Sequence, residues 1–123
     1  MKLALALLAI LVPGSAGLAQ DFQCSGTEPF WSLAISDRQI RFSSPETEYD
    51  LAPAEPSPAR GMAPDYLRVY RTNKTSGAAD PVTIVLQQAP GAQCSDGMSD
   101  TEYPYFGVLI TGSEVLSGCC RPQ

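Results

Sequence analysis

The chain has 123 residues, with 13 acidic and 8 basic side chains and a formal net charge of −5. A chain of this length makes one domain, and its negative charge argues against binding nucleic acid or an anionic lipid surface, which both reward a basic patch. The sequence contains no histidine, which excludes Ser-His-Asp and Cys-His catalysis and removes the commonest metal ligand.

The N-terminus has the layout of a secretory signal peptide. Lys2 gives a positive start, residues 3–12 form an uncharged apolar run, and Gly17-Leu18-Ala19 places small residues where a signal peptidase cuts. The apolar run is shorter than the roughly 20 residues that a membrane span needs. We therefore expect residues 1–19 to be cleaved and residues 20–123 to form one periplasmic or secreted domain that does not span the membrane.

Short segments of alternating polarity along the rest of the chain predict an all-β fold. After a first strand around Cys24, the predicted strands are residues 31–35, 39–43, 48–51, 66–71, 82–88, 103–110 and 115–120. The proline-rich residues 53–64 and the polar residues 89–102 are expected to be loops. Short strands at regular spacing indicate a small barrel or a sandwich. We favour an antiparallel meander barrel of seven to eight strands.

Four cysteines in an exported chain predict two disulfides. Adjacent residues of a strand point to opposite faces, so Cys119 and Cys120 should find partners on different sides of the sheet. Two pairings satisfy this condition. We favour Cys94–Cys119 with Cys24–Cys120 over the exchanged pairing. No cysteine directly follows the apolar run, so we do not expect a lipid anchor.

The segment from Cys24 to Trp31 is the first of two local motifs that stand out. Gly26 allows a sharp turn, Pro29 fixes φ, and Trp31, the single tryptophan, opens the next strand. Trp31 is expected to plug one end of the core, and the alternative is that it forms the aromatic floor of a ligand cavity. Glu28 is either a carboxylate that orients a ligand or a solvated turn residue.

The second motif runs from Cys94 to Asp100 and is followed by Tyr103. Asp96-Gly97 is a strong turn signal, so we expect a structured loop held by Cys94. A calcium site is the alternative, but the spacing does not match the known calcium loop, and we predict neither metal nor cofactor. The two motifs together give the candidate binding surface, which consists of Gly26, Glu28, Trp31, Asp96, Met98, Asp100 and Tyr103.

Three blocks of the sequence resemble a family of small exported bacterial proteins, often labelled as predicted membrane proteins or lipoproteins. The blocks are C-x-G-T-E-P-F-W at residues 24–31, C-S-D-G-M-S-D-x-x-Y-P at residues 94–104, and G-C-C-R at residues 118–121. The resemblance implies an envelope location and a compact β fold, and it implies no catalytic residue. In size, export and disulfides the chain is also similar to periplasmic C-type lysozyme inhibitors and META-type envelope domains.

These observations favour a monomeric, non-enzymatic binding or accessory module of the envelope, with a protein or a small ligand as its partner. The acidic balance suits one specific version, inhibition of a basic cell-wall hydrolase such as lysozyme. One alternative is a redox or soft-metal protein that uses the Cys119-Cys120 pair. Another is a small hydrolase that uses carboxylates alone, which would require a strongly raised carboxyl pKa in a cleft.

Overall fold

The computed structural model describes residues 9–10, 20–76 and 80–123. The cleavage site that we predict after Ala19 and most of the predicted signal peptide lie outside these residues. Within the described part of the chain, no helix has both the length and the apolar character needed to cross a membrane.

Eleven antiparallel strands among the described residues confirm the all-β prediction. They are β1 (Phe22–Thr27), β2 (Phe30–Ile35), β3 (Ile40–Ser43), β4 (Glu48–Leu51), β5 (Ser57–Pro58), β6 (Leu67–Asn73), β7 (Pro81–Gln88), β8 (Cys94–Ser95), β9 (Glu102–Tyr103), β10 (Tyr105–Ile110) and β11 (Val115–Pro122). Nine strands form one sheet in the order β4-β3-β2-β1-β11-β10-β7-β6-β5, and β8 pairs with β9. Eight of the strands correspond to the predicted ones. The count is higher because two-residue strands form within or beside the predicted loops.

Alternation of side chains places the core on the inner face of the curled sheet. In β2, Trp31, Leu33 and Ile35 are buried and the intervening residues are not. The same period of two governs β7, where Val82 and Leu86 belong to the buried set. Because successive strand residues point to opposite faces, this pattern gives one contiguous core that reaches across the sheet from β2 to β7.

The two ends of the sheet approach each other at one corner. Leu51, at the end of β4, forms a bridge with Lys74, just beyond β6. The Ala52 amide donates to the carbonyl of Asn73 (2.9 Å), and the Thr75 amide donates to the carbonyl of Asp50 (3.0 Å). The result is a curled antiparallel half-barrel whose ends touch at this corner, whereas the sequence led us to expect a closed barrel.

The disulfides join the pairs that the sequence argument favours, Cys24–Cys120 and Cys94–Cys119. Cys24 lies opposite Cys120 where β1 pairs with β11, and both side chains are buried in the inner core. A Cβ atom at Gly107 would collide with the Cys120 sulfur, so this glycine leaves room for the bond. Cys119 points outward and holds the segment that carries Cys94 against the sheet.

Candidate functional site

A cavity of about 390 Å³ opens at one end of the curled sheet. Its rim contains residues 44–47, from the β3–β4 turn, and Glu114, from the β10–β11 turn. Trp31, Phe42 and Tyr49 line it from the sheet, and Lys74 lines it beside the corner where the sheet ends meet. We call this space the mouth cavity. Its volume falls in the range of small-ligand pockets.

The aromatic side of the mouth cavity is a stack built by three neighbouring strands. Trp31, Phe42 and Tyr49 come from β2, β3 and β4, and the register pairs Phe42 directly with Tyr49. The ring centres of Trp31 and Phe42 are 6.5 Å apart with planes 14° apart, and those of Phe42 and Tyr49 are 4.7 Å and 20° apart. Trp31 and Phe42 are buried and Tyr49 is partly buried, so Tyr49 is the ring of the stack that is most accessible.

Two glycines and one hydrogen bond fix the position of Trp31. A Cβ atom at Gly26 would collide with the indole ring, and one at Gly118 would collide with both the ring and the backbone carbonyl of Ser25. The indole Nε1 donates to the carbonyl oxygen of Ser117 (3.3 Å). Trp31 belongs to the core, as expected, and it also lines the mouth cavity.

Charges surround the exposed side of Tyr49. The Lys74 ammonium lies 4.3 Å from the ring centre and 3.1 Å from the Asp80 carboxylate. Glu46 and Glu114 add two carboxylates at the rim. Burial raises the pKa of the Tyr49 hydroxyl, and the negative charges of Glu114 and Asp80 raise it further. The mouth cavity thus combines an aromatic surface with a predominantly negative rim.

Asp96 organises the second predicted motif as a hydrogen-bonded loop. Its Oδ1 accepts from the amides of Met98 and Ser99 (both 2.9 Å), and its Oδ2 accepts from the hydroxyls of Ser99 (2.9 Å) and Tyr103 (3.3 Å). These bonds, led by the one from the Met98 amide, lower the pKa of the Asp96 carboxyl. The Asp96 carboxylate thus accepts hydrogen bonds from within the loop, which agrees with the prediction that this motif forms a structured loop.

The structure brings part of the predicted binding surface together. The Thr27 hydroxyl donates to the carbonyl oxygen of Asp96 (3.0 Å), which joins the two motifs. Gly26, Trp31 and Asp96 line a shallow outer groove of about 510 Å³ next to the mouth cavity. The remaining predicted residues, Glu28, Met98, Asp100 and Tyr103, line neither space, and Glu28 with Pro29 forms the β1–β2 turn.

Of the residues that line the mouth cavity, the predicted surface contained only Trp31; those it missed include Phe42, Tyr49, Lys74 and Glu114. The alternating pattern of β2 and β3 could have predicted that Phe42 lies beside Trp31, because a short antiparallel hairpin places both side chains on the same face. Tyr49 could be added by continuing the same register into β4. Lys74 and Glu114 carried no such signal, since Lys74 reaches the cavity through its bridge to Leu51 and Glu114 through the β10–β11 turn.

We predict that Asp96→Ala disorders the loop without unfolding the sheet. The Met98 and Ser99 amides should lose protection against hydrogen exchange several-fold, because both lose their acceptor. In the native protein, the lowered pKa of Asp96 means that its ionised carboxylate stabilises the loop above pH 3.8, the ordinary pKa of an aspartate. This stabilisation is lost as the pH falls through the pKa that Asp96 has in the folded protein. Amide NMR spectra recorded across that range measure both effects. Asp100→Ala, in the same loop, is the control; protection lost equally in both variants would contradict the prediction.

Within the residues that the structure describes, no group of three or more aspartate, glutamate or cysteine side chains could hold a metal ion. The calcium alternative at Asp96, Asp100 and Glu102 therefore gains no support. No family model matches the chain, and no curated protein or solved structure matches it either. The resemblance to small exported bacterial proteins stays a prediction that rests on the sequence blocks.

Proposed function

We propose that this protein is a non-enzymatic binding module of the bacterial envelope, exported by residues 1–19, with the mouth cavity as its binding site. In this proposal the curled sheet acts as a rigid barrel that presents the cavity and its turns to a partner. The observation that carries the proposal is the cavity itself, which combines an aromatic stack with carboxylates at the rim. Two disulfides suit an oxidising compartment such as the periplasm.

The partner that we favour is a basic cell-wall hydrolase of the lysozyme type. The chain has a net charge of −5, and Glu46 and Glu114 place part of that charge at the cavity. Opposite charges on two proteins accelerate their encounter and orient it. By analogy, the similarity to periplasmic lysozyme inhibitors in size, export and disulfides favours the same partner.

The two alternative functions receive less support. A redox or soft-metal site needs free thiols, whereas Cys119 and Cys120 are buried and belong to separate disulfides. A carboxylate-only hydrolase needs a carboxyl whose pKa is strongly raised in a cleft. The pKa of Asp96 is lowered instead, and its oxygens are occupied by hydrogen bonds.

Lysozyme itself is the first partner to test, by calorimetry and by inhibition of its activity. We expect binding in the micromolar range or tighter, and about tenfold weaker binding for Glu114→Arg because the reversed charge faces a basic partner. Asp37→Arg makes the same charge change at the opposite end of β2 and should have little effect. The lysozyme version is wrong if the native protein does not bind at micromolar concentration. Equal weakening by the two variants would place the contact away from the mouth cavity.

A further inference from the structure

We propose that the mouth cavity receives the ammonium or guanidinium group of a basic side chain on the partner protein, and that Lys74 occupies this position in the free protein. The inference rests on the proposed function and names the chemical group that the site recognises. Three features carry it: the faces of the Tyr49 ring, the balance of charge around that ring, and the position of Lys74.

The Tyr49 ring has one face on which a cation can sit. Phe42 stacks against the ring with the centres 4.7 Å apart, which occupies one face. The Lys74 ammonium, 4.3 Å from the ring centre, takes the other. A cation at this distance is attracted by the negative charge on the face of an aromatic ring. The free protein therefore already shows the geometry of a cation on this ring, with its own lysine as the cation.

The negative charge near the Tyr49 ring is larger than the single positive charge of Lys74 can neutralise. Asp80 pairs with the Lys74 ammonium at 3.1 Å, while Glu46 and Glu114 form no ion pair with any residue that the structure describes. The cavity and the ion pair beside it thus contain three carboxylates and one ammonium group. Glu114 lines the same cavity as Tyr49, and Asp80 pairs with the ammonium that lies over the Tyr49 ring. A second cation would be attracted by the two unpaired carboxylates.

Lys74 can leave the ring without disturbing the sheet. Its backbone is held by the bridge to Leu51 and by its amide, which donates to the carbonyl of Asp80 (3.2 Å). Its side chain is partly exposed, as is that of Asp80. The flexible side chain can turn towards solvent and keep its contact with Asp80. An incoming ammonium or guanidinium group would then take the ring face and the rim carboxylates.

Two matched small molecules test this inference. N-acetyl-lysine methylamide carries the ammonium, and N-acetyl-norleucine methylamide has nearly the same chain without it. Each is titrated into the purified protein while the emission of Trp31 is followed, because this single tryptophan lines the cavity. We expect the lysine amide to bind more tightly than the norleucine amide. Lys74→Met should tighten binding of the lysine amide about tenfold, because the competing cation is gone.

Further variants separate charge recognition from general binding. Glu114→Gln should weaken binding of the lysine amide about threefold, whereas Asp37→Asn should leave that affinity unchanged. Neither Lys74→Met nor Glu114→Gln should change the affinity for the norleucine amide by more than about twofold. The inference is overturned if Lys74→Met leaves the affinity for the lysine amide unchanged or lowers it. It is also overturned if the two amides bind equally, although the proposed function would then stand. If neither amide nor lysozyme affects the native protein, both the inference and the proposed function fail.

Discussion

Replacing both Cys24 and Cys120 with alanine is expected to lower the free energy of unfolding by about 5 kcal/mol. This disulfide joins residues 96 apart in sequence, and in the chain-entropy model a bond that closes such a long loop restricts the unfolded chain strongly. It also ties the first strand of the described sheet to the last, where β1 pairs with β11. A loss of this size approaches the whole stability of many small domains.

The second disulfide provides the comparison. Cys94 and Cys119 are 25 residues apart, so replacing both with alanine should cost about 3.5 kcal/mol. Urea unfolding of the two double variants and the native protein measures the difference. The loop at Cys94 should become mobile in the second variant, while the sheet persists. An equal loss of stability in the two variants, or a larger loss in the second, would contradict this account of the disulfides.

Arg68→Met is expected to raise the free energy of unfolding by about 1–2 kcal/mol. Arg68 is only 6% exposed, and its Nε and Nη1 atoms are buried without a hydrogen-bond partner among the described residues. Its guanidinium lies 4.9 Å from the centre of the Phe22 ring, which compensates part of the cost of burying the charge. Burying a charge without a paired partner costs free energy, and replacing even a buried ion pair with well-packed apolar side chains is often neutral or stabilising by about 1–4 kcal/mol.

Arg71→Met is the matched control for this substitution. Arg71 lies on the same strand, β6, but is exposed on the outer face, so its replacement should change stability by less than about 0.5 kcal/mol. Thermal and urea unfolding of the two variants give the comparison. Destabilisation by Arg68→Met would mean that the guanidinium contributes more to the fold than its contact with Phe22 indicates.

Local signals in the sequence predicted most of the sheet. Alternation located β2 and β6 to within about two residues, because a half-buried strand must alternate, and the β-branched residues of 82–88 located β7 equally well. The same rule placed Cys119 and Cys120 on opposite faces, which left two pairings open, and the observed pairing is one of these two.

Contacts between distant segments were harder to predict. Prolines argued for a loop over residues 53–64, yet Ser57–Pro58 pairs with β6 at the edge of the sheet, where a missing amide donor is tolerated. The mouth cavity depends on contacts of the same kind. Tyr49 and Lys74 are 25 residues apart and meet because Leu51 bridges to Lys74, and no local pattern specifies that bridge. The predicted surface therefore included Trp31 but missed the partners that complete the cavity.

The central claim is that the mouth cavity is a binding site, and the most direct test is an NMR titration of the isotope-labelled protein with unlabelled lysozyme. The single tryptophan gives one indole signal from Trp31, which lies in the cavity. We predict shifts or broadening of this signal and of the amides of Ser44, Glu46, Thr47 and residues 111–114, with little change at Asp37. Changes confined to the opposite end of the sheet, or no change at all, would contradict the claim.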